Sequence, residues 1–552
     1  MPAASATTPD SDADRAPRRR TIVAACLFLA TFALPLAGDA RGTLLALWPS
    51  ALAITLAFVL RDIYPSLLLG AFAGAILVRG GDAFGAFLDL FERFLLPALT
   101  NPWNVNVLVF TLMMGGLVEL LESSGGMAAA AGRMAGKNPD RRRVGLAVYG
   151  VGWLFFLDGL ASSVLLGKSL RPLADRARMS REKLAFLVDS TASPMAGLSL
   201  ISTWVAYELS LLRDGLVALG HTDAEASPFL VLVRSLPYRF YNLYLLAVVL
   251  FVVWLQRDLA PMRRAEIAAA GRALPPNRDD GTVATRAWPT LVVLAALVVA
   301  VTAGLWLDGG GLGLPFDTGG IIAAIGAADA AQVFVWATAG AAGLALLASR
   351  LGGGARPAAQ VTAFFRGTAV LFLPALILVL AWMLGAVTRE LDAASSLAAL
   401  LEGGLAPHLL PAVVFLLSSA VSFATGTSWG TMAVVMPLAI PAAATLAEYS
   451  GGTPPTLLVV TVGAVLAGAV FGDHCSPISD TTLVSAVASD CEPMAHVRTQ
   501  LPYALGAAGI AVGVGYLPAG LGVSPWLLLP AGAAVCWAWI RFVAQPLVVP
   551  GA

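Results

Sequence analysis

Two short runs of this sequence concentrate groups able to bind and release ions. One is Gly472-Asp473-His474-Cys475-Ser476-Pro477-Ile478-Ser479-Asp480, the other Asp189-Ser190-Thr191-Ala192-Ser193-Pro194. Each interrupts a long apolar segment, 456–487 and 184–212 respectively, where an ionisable side chain costs roughly 3 kcal/mol on insertion scales and is functional by default. A carboxylate among hydroxyls and bare carbonyls is a hard-oxygen site suited to a small alkali cation. Away from water the bare charge of a carboxylate is disfavoured, so one Asp can hold either H+ or Na+, and competition for it couples the two ions. Asp473, Asp480 and Asp189 are the candidate ion carriers, with Asp158 accessory. Ser193, Ser476, Ser479, Thr425, Thr427 and Ser428 offer further oxygens. His474 joins this set as a ligand or as a hydrogen-bonded strut for the backbone. Glu119, Glu122 and Glu208 are secondary candidates near helix ends.

The elements that carry these groups follow from composition. The chain has 552 residues, 58% of them hydrophobic and 12% charged, about half the charge of an ordinary soluble domain, which is roughly 25%. Such a surface cannot be wetted by water, which excludes soluble enzymes, nucleic-acid binders and fibrous proteins. A formal net charge of zero gives no field that would attract nucleic acid. The expected setting is the lipid bilayer of a plasma or inner membrane, crossed many times, with a cytoplasmic N-terminus and Arg18-Arg19-Arg20 before a retained first span. The cysteines Cys26, Cys475, Cys491 and Cys536 show no disulfide spacing.

Apolar blocks run at 21–38, 43–60, 63–78, 104–121, 144–167, 184–212, 229–256, 288–307, 331–349, 367–388, 409–446, 456–487, 501–520 and 526–543. Lys and Arg crowd cytoplasmic loops, yet the basic stretches 122–143 and 168–183 flank the single block 144–167. A re-entrant hairpin resolves the conflict, since it enters and leaves on one side and is tolerated where protein or a wet cavity covers it. Block 409–446 is too long for one span and too short for two. Its centre, Ala424-Thr425-Gly426-Thr427-Ser428, is turn-prone, and its flanks are poor in basic residues, so it should enter from outside. With both hairpins in place, Arg41, Arg79, Arg93, Arg213 and Arg389 fall outside and nearly all other Lys and Arg inside. Arg234 and Arg239 would stand on an interfacial stretch before the span in 229–256.

Proline removes a backbone donor and clashes with the preceding turn, so the segments after each hairpin should unwind at Asp189–Pro194 and at Gly472–Asp480. Hairpin plus broken helix, twice and in opposite orientation, points to an inverted-repeat secondary transporter. The expected fold is an all-α polytopic membrane protein with an inverted repeat, two re-entrant helical hairpins, two broken transmembrane helices and about 12 full spans. The expected division is a cytosolic disordered tail (1–20), a first half (21–256), a cytosolic linker (257–287) and a second half (288–552).

These runs resemble NhaC-type Na+/H+ antiporters, members of the ion transporter superfamily. The resemblance is carried by "GDHCSPISDTT" (472–482), "FATGTSWGT" (423–431), "RPLADRARMSREKLAFLVDSTASP" (171–194), "AWMLGAVTREL" (381–391) and "HVRTQLPYAL" (496–505). It implies a non-enzymatic carrier with no cofactor, Na+ and H+ as cargo, hairpin tips and broken helices around the site, and an elevator-like motion. A homodimer is left open. One departure stands at the first hairpin tip, Leu157-Asp158-Gly159-Leu160-Ala161-Ser162, where the family pattern is of Asp-Asp-Tyr-Ala-Asn type. Gly159 replaces an acidic position and Ser162 an Asn, with Lys168 nearby. Some relatives exchange malate and lactate, so the alternative is a Na+- or H+-coupled exchanger of small organic anions.

Two other patterns mislead. Gly426-Thr427-Ser428-Trp429-Gly430 matches a hydrolase nucleophile elbow, which needs a strand-to-helix turn over a soluble sheet. Asp473-His474-Cys475 lacks the second cluster that structural zinc requires.

Overall fold

The computed structural model describes the chain apart from residues 1–10, most of 125–139, 155, 158, 221–226, 272–286, 352–356, most of 394–405, 450–453 and 548–552. Asp158, the start of the tail and half of the linker therefore lie outside the described residues. Nearly all the rest is helix, as expected of a chain with too little polar surface to leave backbone unpaired in lipid.

The helices that matter here are α1 (Ser11–Leu29), α2 (Trp48–Leu60), α3 (Ile63–Val78), α4 (Pro102–Ser123), α5 (Arg141–Leu154), α6 (Gly159–Arg176), α7 (Arg181–Leu198), α8 (Val205–Ala218), α9 (Phe240–Leu255) and α10 (Ala260–Ala270). They continue as α11 (Trp288–Asp308), α12 (Ala330–Leu351), α13 (Pro357–Val370), α14 (Phe372–Glu390), α15 (Leu410–Thr425), α16 (Ser428–Tyr449), α17 (Pro454–Cys475), α18 (Asp480–Ala488), α19 (Pro493–Ile510) and α20 (Pro525–Phe542). Among the described residues, 9 helices are long and apolar enough to cross a membrane, or up to 10 if the pair Pro228–Tyr238 and Phe240–Leu255, bent by 43°, counts as one span. Three shorter apolar stretches, Arg20–Leu36, Leu44–Leu60 and Ile63–Val78, fall below that length. The chain is thus a polytopic all-α membrane protein.

Helices α5 and α6 return to the same end of the bundle. At the start of α5, Arg141 donates from Nε to the Ala177 carbonyl at 3.1 Å and from Nη2 to the Arg178 carbonyl at 2.5 Å, just past α6. The linker helix α10 closes this end. Its Glu266 accepts the Ser180 amide at 2.6 Å, and Asp258 pairs with Lys183 and accepts from the Tyr503 hydroxyl at 3.0 Å. Two-residue strands β1 (Arg257–Asp258) and β2 (Gln545–Pro546) pair antiparallel there, tying mid-chain to its end.

Helices α15 and α16 meet at Gly426, whose φ of 71° lies in the left-handed region. Glycine reaches that region without penalty, which is why the chain reverses there. Both arms pack on α17.

The two breaks differ from expectation in position. Helix α7 runs unbroken through Asp189 and Pro194 to Leu198, and the irregular stretch is 199–204. Pro194 stands inside this helix, and its carbonyl accepts from Asn242 Nδ2 of α9 at 3.1 Å. Further on, side chains win the backbone instead: Ser199 Oγ accepts the Ile201 amide at 3.0 Å and Ser202 Oγ the Trp204 amide at 3.2 Å. Such local bonding competes with helix. In the second half, helix persists through Asp473, His474 and Cys475, and only 476–479 is irregular. Arg239, expected beside an interface, is instead fully buried.

Candidate functional site

Each helical turn is fastened to the break of its own half. The Thr203 amide, in the first break, donates to the Leu157 carbonyl in the α5–α6 turn at 2.9 Å. Ser476 Oγ, in the second break, donates to the Phe423 carbonyl at the end of α15 at 2.7 Å. Close packing supports both joints. A Cβ on Gly426 would lie 2.6 Å from the Ile478 carbonyl oxygen, and one on Gly159 3.3 Å from Ser193 Oγ.

Between these joints lies a cavity of about 480 Å³. Gly159 lines it from α6, Thr425 to Trp429 from the α15–α16 turn, and Asp473, Ile478, Asp480 and Thr481 from the second break; Trp204, Arg61, Asp62, Tyr64 and the α13–α14 junction complete it.

Asp473 is the best-built group in it. Its Oδ1 accepts from Ser479 Oγ at 2.8 Å, and its main-chain oxygen accepts from the hydroxyls of Thr481 and Thr482, both at 3.0 Å. Its Oδ2 is buried without a hydrogen bond. Ser193 Oγ is also buried without a hydrogen bond, near the Asp473 carboxyl. Asp480 is exposed to the cavity at the first turn of α18, where the helix dipole favours an anion.

Asp189 does not line the cavity. It is fully buried behind it, with Oδ2 accepting from Gln500 Nε2 at 2.7 Å and lying 3.2 Å from His496 Nε2, while Oδ1 is unpaired. Gln500 Nε2 also donates to the His474 carbonyl oxygen, linking the two acidic runs through α19. Both His474 ring nitrogens are occupied, Nε2 by Ser190 Oγ and Nδ1 by the Tyr241 hydroxyl, each at 2.8 Å. A ring so engaged acts as a strut between α7, α9 and α17.

The remaining expected oxygens are partly spent locally. Thr425 Oγ1 donates to the Val421 carbonyl at 2.8 Å, and Thr427 Oγ1 accepts the Gly430 amide at 3.3 Å as the cap of α16. Ser428 remains on the wall. Glu208 is neutralised by Arg239, and Glu119 pairs with Arg366 at 2.9 Å. Among the described residues no three His, Cys, Asp or Glu side chains are placed to hold a metal ion.

His496, Gln500 and Tyr241 were not picked out from the sequence. His496 and Gln500 stand four apart on one face of α19, which is a readable signal; Tyr241 carries none. Arg61 reads as a loop cation until the fold brings α2 against the α15–α16 turn.

A profile of the Na+/H+ antiporter family matches residues 195–521. An uncharacterised protein of Haemophilus influenzae is 30% identical over 488 residues, covering 87% of this chain and 92% of that one. The malate-2H+/Na+-lactate antiporter of Bacillus subtilis is 29% identical over 168 residues, covering 26% of this chain and 34% of that one. Among solved structures, Neisseria gonorrhoeae MtrF, described with a class of antimetabolite efflux pumps, superposes with a TM-score of 0.50 at 18% identity, over 85% of this chain and 87% of that one.

Proposed function

The chain belongs to the Na+/H+ antiporter family, and on that premise we propose that it exchanges Na+ for H+ by alternating access, using buried carboxylates. The observation that carries this is the state of Asp473: one oxygen is held by Ser479, the other is buried and open. A proton on the open oxygen makes it a hydroxyl donor, with Ser193 Oγ as the acceptor close by. Na+ in its place would gain that oxygen, with Ser193 Oγ and the cavity-lining Asp480 close by, which are hard donors of the right kind. Asp189, with its own open oxygen, would feel each change of charge at Asp473 through Gln500 and the His474 carbonyl.

In this reading the two hairpin-and-break units form an inverted repeat, the basic end with α10 faces the cytoplasm, and the protein sits in the plasma membrane. Exchange of a small organic anion is the second reading. It is favoured by the partial likeness to a relative named for malate and lactate and by a cavity far larger than a bare cation needs.

Purified protein in vesicles with an entrapped pH dye tests the proposal. Addition of Na+, and not K+, should release protons. Asp473→Asn should lower the rate at least tenfold, and Asp480→Asn should shift the Na+ concentration for half-maximal rate severalfold. Wild-type exchange by both variants would remove the assignment.

A further inference from the structure

The end of the bundle closed by α10 carries more positive charge than it uses. Arg141 is spent on the Ala177 and Arg178 carbonyls and lies 3.6 Å from Glu266. Lys183 is paired with Asp258, and Asp140 caps the Arg143 amide at 2.7 Å. These three acids are thus committed, while the side chains of Arg142 and Arg143 form no ion pair among the described residues.

Arg142 has an aromatic partner instead. Its guanidinium carbon lies 4.0 Å from the centre of the Trp254 ring, which is 55% exposed at the end of α9. The face of an indole attracts a guanidinium, whose planar fork of N–H donors still suits a phosphate. Tryptophan collects where hydrocarbon meets water, so this pair marks the level of lipid headgroups. From there α9 runs into the bundle clamped between α5 and α20. A Cβ on Gly145 would lie 2.7 Å from Val253, and one on Gly532 2.1 Å from Tyr244. What stays uncovered on α9 is a single apolar stripe, Leu243, Ala247, Leu250, Phe251, Trp254 and Leu255, with the spacing of one helix face. A cation therefore stands at the head of an apolar groove.

We propose that this groove binds an anionic phospholipid, its phosphate on Arg142 with Arg143 adding charge, and an acyl chain along the α9 stripe. Basic clefts between membrane helices recognise such headgroups. A zwitterionic lipid offers the same chain but balances its phosphate with an ammonium, so the site selects by charge. None of these residues lines the cavity, and the proposal is independent of the exchange reading. Arg141, one residue away, fastens α5 to the end of α6, so a lipid seated here braces that joint.

The detergent-purified full chain is titrated with dioleoylphosphatidylglycerol or with dioleoylphosphatidylcholine while thermal unfolding is followed. The anionic lipid should raise the midpoint several degrees more than the zwitterionic one. Arg142→Gln should remove at least half of that difference, Arg142→Lys should keep most of it, and Arg264→Gln, at an exposed position of α10, should leave it intact. Native mass spectrometry reads binding apart from stability: wild type should retain one more phosphatidylglycerol than Arg142→Gln. Equal effects of the two lipids, wild-type lipid retention by Arg142→Gln, or an equal loss in Arg264→Gln would overturn the site. So would a shift of the same size from inorganic phosphate, which has no chain to fill the groove.

Discussion

Glu208 and Arg239 form a bidentate ion pair deep in the bundle, at 3.1 and 2.9 Å, with side chains 2% and 1% exposed. Both carboxylate oxygens are engaged, so Glu208 is removed from the set of groups that can trade a proton for a cation. It joins α8, just past the first break, to the start of α9.

Breaking one side of such a pair strands a buried charge, at a cost of about 3–5 kcal/mol. Glu208→Gln and Arg239→Gln should each lower the thermal midpoint of the purified protein strongly, and the double variant should recover much of the loss. Additive losses would show that the two side chains act independently.

His474 should behave as a support. With both ring nitrogens bonded, His474→Ala should lower the midpoint and slow exchange severalfold while leaving the pH for half-maximal exchange unchanged. A shift of that pH by a unit or more would make the ring a proton carrier.

The two tip glycines should differ. Ala at Gly426 faces a left-handed backbone and the Ile478 carbonyl 2.6 Å away, so the α15–α16 turn must move off the second break. Exchange in Gly426→Ala should fall at least tenfold. At Gly159 the nearest atom is a side-chain oxygen at 3.3 Å and φ is unstrained, so Gly159→Ala should retain at least a third of the rate. The reverse ranking would sink this account of the turns.

Glu266 supplies a pH dependence of stability separate from transport. Burial raises its carboxyl above the usual value of 4.5; Lys183 opposes this, Asp258 adds to it, and the Ser180 amide and Arg141 oppose it. Between 4.5 and the raised value the folded chain binds more protons than the unfolded one, so stability falls as pH rises through that window and levels off above it. Unfolding midpoints measured across that range should show this slope, and Glu266→Gln should flatten it. A midpoint that climbs with pH in wild type and not in the variant would reverse the sign.

Composition alone makes the chain a membrane-spanning helical protein, because nothing but hydrocarbon could surround it. The candidate carboxylates were legible for the same reason: an Asp in an apolar run has to be accounted for. The break in the first half was misplaced because proline was weighed as a local breaker, whereas the helix ends further on, where Ser199 and Ser202 take the backbone amides of Ile201 and Trp204. His496, Gln500 and Tyr241 come from other helices, and their meeting with Asp189 and His474 is a property of packing that local pattern does not encode. Arg61 escaped notice because a basic residue in a turn ordinarily points into water.

For an exchanger, the separate fastenings at Leu157–Thr203 and Phe423–Ser476 bear on leakage. A net contribution of about 1 kcal/mol for each bond means that releasing either turn is a common event. In the proposed exchanger a continuous aqueous path would need both released at the same moment, and the populations of two independent states multiply. Uncoupled ion flow would be lowered by that product, with no single barrier high enough to slow turnover.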